Sequence, residues 1–174
     1  PLNDNLDAAK QVMPLIDVSA LRNRAREIYA KGEMLPAGQI FPVSLSPENS
    51  GVWTVLPNKD RVWRLSVHVP DAPATSLYYE NFYIPEGAVL YVYNAEKTQL
   101  IGSFGAHNNN ESKLFATEII YTGDCVIEYY EPANVKQKGT FTITGIANVY
   151  NAPEPPSYIK LQNPICCGLG TSGA

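Results

Sequence analysis

The sequence predicts an all-β fold: an antiparallel β-sandwich, jelly-roll-like, with an N-terminal helical arm. Three observations carry this expectation. Apolar residues alternate with a period of two from Ile40 to Tyr150, turn signals interrupt them at roughly 8–12-residue spacing, and helical spacing occurs only before residue 40. The 174 residues are 45% hydrophobic and 17% charged, a balance that buries a proper core.

Three segments emerge from these patterns: residues 1–39 as an arm with one helix, 40–150 as the sandwich, and 151–174 as a proline-rich linker leading into the start of a further domain. In the arm, Leu21, Ala25, Ile28 and Tyr29 recur at helical spacing and predict a helix over Ser19–Lys31 packed on the sandwich. Asp17 or Ser19 can cap its start, and Gly32 stands where a glycine ends a helix. Arg22, Arg24 and Arg26 fall off the apolar stripe and read as a solvated face.

From residue 40 the strands declare themselves in turn. RVWRLSVHVP places Trp63, Leu65, Val67 and Val69 on one face and Arg64, Ser66 and His68 on the other. SLYYENFYI, AVLYVYN, TQLIGSF, KLFATEII, CVIEYYE and GTFTITGIANVY repeat the theme between turns such as Pro-Glu-Gly and Thr-Gly-Asp. After Tyr150, NAPEPPSYIKLQNP cannot continue a sheet, because proline donates no ladder hydrogen bond.

Charge and hydropathy exclude some partners. A net charge of −4 opposes nucleic-acid binding, which needs a basic face. No apolar run approaches the ~20 residues of a membrane-spanning helix. The chain starts at Pro1, and its tyrosines, prolines and sparse charge suit an exported protein whose signal peptide has been removed.

Catalytic chemistry is sparse. His68 and His107 are the histidines; the first reads as a cross-strand residue and the second as a turn residue, so no catalytic triad is expected. Ser172, in a glycine-flanked tail, lacks an element to position it as a nucleophile. No metal or other cofactor is expected, since the histidines and cysteines do not follow zinc-ligand spacing and Asp124, Glu128 and Glu131 read as solvated surface carboxylates. Asn110-Glu111-Ser112 is a glycosylation acceptor only in a eukaryotic secretory pathway. Exposed aromatic strips on sandwiches stack sugar rings, which makes Tyr79, Tyr83, Tyr91 and Tyr93 candidate ligand-stacking residues of a carbohydrate-binding or adhesive module.

Cys166 and Cys167 are adjacent, and a bridge between neighbours strains the peptide joining them. Cys125 is the remaining thiol, so one of the three is left for a partner outside the chain or stays free.

The order of pieces from Trp53 to Tyr150 has a further meaning. A GVW strand and DRVWRLSVHVPDA precede SLYYENFYIPEGAVLYVYN; IGSFGAHNNN, FATEIIYTGDCVIEYYEP and TITGIANVYN come after it. This order resembles the N-terminal pro-region of secreted lysyl-endopeptidase-like (trypsin-like) serine proteases from Gram-negative bacteria, although Ala72-Pro73-Ala74 departs from the family's usual Pro-Gly-Ala turn. The resemblance implies a non-catalytic domain of a protease precursor, with a trypsin-like catalytic domain beginning just beyond Ala174 as its partner. It also implies that Cys166 and Cys167 pair with Cys125 or with thiols of that domain, in an oxidising compartment. A lysine-specific protease of this kind could release itself at Lys160, which comes after Pro155-Pro156 in an extended linker; Lys136 and Lys138 are the competing sites.

Overall fold

The computed structural model describes residues 8–156. Its elements are β1 (Ala9–Val12), α1 (Val18–Ala30), β2 (Gln39–Leu45), β3 (Val52–Val55), β4 (Arg61–His68), β5 (Thr75–Tyr83), β6 (Val89–Asn94), β7 (Leu100–Phe104), β8 (Phe115–Ala116), β9 (Asp124–Glu131) and β10 (Thr140–Asn148). The strands form two sheets, as the alternating pattern requires. One has six strands, ordered β1-β4-β9-β6-β7 with β3 also on β4; the other has four, ordered β2-β10-β5-β8. All pairs are antiparallel except β1 with β4.

Alternation sends Trp63, Leu65 and Val67 of β4 and Cys125, Ile127 and Tyr129 of β9 inward. They meet Leu77 and Tyr79 of β5 and Phe141, Ile143 and Ile146 of β10 in one core between the sheets. Two irregularities keep that core continuous. At Asn81 the backbone turns left-handed (φ +53°) and the β5–β10 register shifts opposite it, so Phe82 points inward where strict alternation would send it out. A second shift, between Ile143 and Gly145, does the same for Ile146.

The arm is less separate than its sequence suggests. β1 lies parallel to β4 over Leu65–His68, which makes it part of the six-stranded sheet rather than an appendage before residue 40. Four residues are too few to show a period, and this is why the strand escapes a sequence reading. Helix α1 starts where expected: Asp17 caps it, its carboxylate accepting from the Ala20 N–H at 2.9 Å. It ends in a Schellman turn, with Gly32 N–H bonded to the Tyr29 carbonyl, Glu33 N–H to the Ile28 carbonyl, and Gly32 at φ +82°. Its inward stripe is Val18, Leu21, Ala25 and Ile28, with Ala25 alone buried; Tyr29, assigned to that stripe from its spacing, is exposed instead.

Candidate functional site

The four tyrosines selected from the sequence divide by burial. Tyr79 is 2% exposed and packs edge-on against Phe82 and Phe141, so it belongs to the core and offers no ring to an external ligand. Tyr93 is also buried, and its hydroxyl donates to Glu128 Oε2 at 3.1 Å. Tyr83 and Tyr91 are half-buried. Tyr83 borders a cleft of about 520 Å³ with Pro85, Glu86, Asn134, Lys136 and Gln137 at one end of the sandwich.

Of the strand tyrosines, Tyr78 is the one that is exposed, 38% accessible on the outer face of the four-stranded sheet. It stands opposite Gly145, where a Cβ would lie 2.9 Å from Ile40 Cγ2 and 3.4 Å from the Tyr78 ring, so the missing side chain makes room chiefly for Ile40 of β2. Glu80, Leu114, Ala116 and Thr144 join it around an open groove of about 400 Å³. The sequence signal that could have selected Tyr78 over Tyr79 is the inward Leu77, which fixes the parity of the strand.

The carboxylates also depart from the sequence reading. Glu128 and Glu131 are buried rather than solvated. Glu128 Oε2 accepts from Arg64 Nε at 2.7 Å, directly across β4 and β9. Glu131 accepts from Arg61, from the Tyr129 hydroxyl at 2.8 Å and from the Gly139 N–H at 2.9 Å. Burial alone would raise its pKa, but the Gly139 N–H, the Tyr129 hydroxyl and the Arg61 guanidinium outweigh that and hold it below the usual carboxylate range. Arg61 in turn lies over the Trp53 ring, 4.2 Å from its centroid.

His68 meets Asp124 across the same strand pair, Nδ1 to Oδ1 at 2.8 Å. Such a pair can orient an imidazole, yet among the described residues no hydroxyl or thiol is hydrogen-bonded to it. His107 is exposed in a 3-10 turn. Among the described residues no cluster of histidine, cysteine and carboxylate groups could hold a metal ion, and no helix is long and apolar enough to cross a membrane.

Cys125 is 1% exposed, carries no disulfide, and sits in the core across from Val67. Burial, with Asp124 adding to it, pushes its thiol up to about 12. A bridge from it to a segment beyond the linker would have to open the core. Cys166, Cys167, Lys160 and Ser172 lie outside the described residues.

The two ends of the sandwich segment meet at one place. Arg22 of α1, read from sequence as solvated, donates from Nε to the Tyr150 carbonyl at 2.8 Å. One residue later the Asn151 N–H bonds the Ala37 carbonyl at 3.0 Å and its side-chain amide bonds the Pro36 carbonyl at 2.8 Å. The linker therefore departs beside the arm.

No family model matches the sequence. Among solved structures, a low-affinity xylan-binding module from the gut symbiont Roseburia intestinalis aligns at 8% identity and a TM-score of 0.34, covering 64% of this chain and 94% of that one. An isomalto-dextranase of Arthrobacter globiformis T6, in complex with panose, aligns at 14% identity and a TM-score of 0.24, covering 56% of this chain and 17% of that one. Likenesses this slight carry no argument about what the chain does.

Proposed function

We propose that the chain is the non-catalytic N-terminal pro-domain of a secreted serine endopeptidase precursor, assisting the folding of its catalytic domain and holding that domain inactive. One observation supports this reading above the others. Two of the pieces that carry the family resemblance, Trp63-Arg64-Leu65 and Glu128-Tyr129-Tyr130-Glu131-Pro132, lie on adjacent strands, and their charges meet as Arg64–Glu128, with Arg61–Glu131 further along the same pair of strands. These two pieces therefore sit side by side in the sheet, while the resemblance as a whole rests on many separate matches along the chain. A β-rich protease folds slowly because its contacts are far apart in sequence, and a rigid preformed surface can lower that barrier.

Refolding supplies the test. The catalytic domain encoded beyond Ala174 should recover activity many-fold faster with this chain present, and the chain alone should leave lysyl and arginyl esters uncleaved. A reading frame without a trypsin-like domain, or equal recovery with and without the chain, ends the proposal. Sequencing the N-terminus released from the precursor tests the processing site: a start at Leu161 supports cutting after Lys160.

The alternative, a carbohydrate-binding or adhesive module, draws on the groove at Tyr78, where an exposed ring stands beside Glu80 and the Thr144 side chain. A glycan array separates the two readings: specific hits abolished by Tyr78→Ala favour the module, and a blank array favours the precursor.

A further inference from the structure

Tyr83, the last residue of β5, lies between Phe82 and Ile84, which are both buried in the core, so alternation turns its ring the other way. That places it at the cleft of about 520 Å³ between two connections, β5 to β6 and β9 to β10. Pro85 and Glu86 come from the first; Asn134, Val135, Lys136 and Gln137 come from the second. The cleft is more enclosed than the groove at Tyr78, and its size is that of a small-molecule site.

Both walls are fixed before any ligand arrives. In the first, the Ala88 N–H bonds the Pro85 carbonyl at 3.1 Å, and Gly87 takes the left-handed position of that turn at φ +82°, leaving Glu86 exposed at the tip. The second is pinned at both stems. Asp60 Oδ1 accepts from the Ala133 N–H at 2.8 Å, and Glu131 Oε2 accepts from the Gly139 N–H at 2.9 Å. The walls also touch: a Cβ on Gly139 would lie 3.1 Å from Pro85 Cδ, and one on Gly87 would lie 3.4 Å from Pro132 Cγ. A ligand entering here has no loop to order, which lowers the cost of binding.

The polar tips around the cleft are unspent. Among the described residues, Tyr83, Glu86, Asn134, Lys136 and Gln137 make no side-chain hydrogen bond or ion pair with the rest of the protein. Glu86 and Lys136 carry opposite charges on the two walls without closing into a pair, so the cleft has no net charge and offers both acceptors and donors. One carboxylate is too few for a divalent cation, which takes six or more oxygens. One ammonium beside that carboxylate is a poor seat for a phosphate. A sugar fits better, because each hydroxyl both donates and accepts and can bridge a carboxylate and an amide. Tyr83, Pro85 and Val135 supply the apolar surface that the C–H face of such a ring needs.

We propose that this cleft binds a neutral sugar, with Tyr83 under the ring and Glu86, Asn134, Lys136 and Gln137 on its hydroxyls. The proposal goes beyond the pro-domain reading and does not depend on it. It shares its ligand class with the carbohydrate alternative, which rests instead on Tyr78 of the outer sheet face.

The test is a titration of the isotopically labelled chain with neutral trisaccharides of glucose, mannose, galactose and xylose at millimolar concentration, followed through the backbone amides by NMR. At least one trisaccharide should shift amides of residues 83–88 and 133–138, with an affinity that added salt leaves unchanged. Tyr83→Ala should weaken binding about tenfold, and Tyr78→Ala should leave it as it was. Asn134→Ala/Gln137→Ala, at two exposed positions, should weaken it several-fold without lowering the melting temperature, and decides the matter if the Tyr83 variant fails to fold. Shifts confined to Tyr78, Glu80 and Ala116 overturn the cleft and leave the carbohydrate alternative standing. No shift with any of the four overturns the cleft as well, while the refolding experiment decides the pro-domain reading separately.

Discussion

Arg64 and Glu128 face each other across β4 and β9 on the side of the sheet turned away from the core, and both are buried. Tyr93 completes the group by donating its hydroxyl to the same Glu128 oxygen. An ion pair removed from water loses hydration, and it is worth keeping only when hydrogen bonds and geometry recover that loss. Breaking it from one side is costly, whereas replacing both partners is not.

Arg64→Met should therefore destabilise the domain by about 3 kcal/mol, because it leaves the Glu128 carboxylate buried without its cation. The double variant Arg64→Met/Glu128→Leu should recover most of that loss. Urea unfolding of the wild type and the variants measures both values, and a double variant no more stable than the single one contradicts the account.

Gly51 has φ +70°, and a Cβ there would collide with the indole of Trp63, whose Nε1 donates to the Ser50 carbonyl at 2.7 Å. Gly51→Ala combines a left-handed backbone with overpacking of the largest buried side chain. The expected cost is about 2–4 kcal/mol, with a shift in tryptophan emission as Trp63 moves. A thermal midpoint equal to that of the wild type would show that the ring has room to give.

Cys125 should resist thiol reagents in the folded domain at pH 8 and react fully in denaturant. Its thiol is buried and pushed up to about 12, so at pH 8 only about one molecule in ten thousand carries the thiolate. Rapid labelling of Cys125 under native conditions, read by mass spectrometry of the cysteine peptides, contradicts this.

Alkaline pH should weaken the fold. Burial raises the hydroxyls of Tyr79, Tyr93 and Tyr129 above their ordinary value near 10, with Glu128 adding to the effect at Tyr93 and Glu131 at Tyr129. Together with the Cys125 thiol, these groups keep their protons in the native state while the unfolded chain releases them. The unfolded state then binds fewer protons, so stability falls as pH rises through about 9 and beyond. Spectrophotometric titration should show these three tyrosines ionising only as near-ultraviolet circular dichroism is lost.

Strand positions were legible wherever one face of a sheet met the core, because burial on one side imposes a period of two. The parity of β4, read from Trp63, Leu65 and Val67, is the parity observed. Legibility failed where the period was broken or too short. The register shift at Asn81 inverts the rule within β5, and β1 has too few residues to display one. Buried charge was illegible for a different reason: Glu128 alternates as a solvated residue would, and its Arg64 partner is 64 residues away in sequence. Two side-chain amides were equally hidden. Asn109 bonds both the N–H and the carbonyl of Ile84, and Gln99 bonds the Tyr121 N–H and the Ile119 carbonyl, so each supplies the pairing a further strand would have made.

The edge of β4 is divided end to end, with β3 covering Arg61–Arg64 and β1 covering Leu65–His68. Only the first half is closed by a strand from the sandwich segment itself; the second depends on residues near the start of the chain. A version of this domain begun after Met13 would present four unpaired backbone positions in a flat row, a template that recruits strands from other molecules. The N-terminal strand would thus guard against self-association, and because Met13 leaves the core with it, its removal should show as oligomers in size-exclusion chromatography together with a lowered melting temperature.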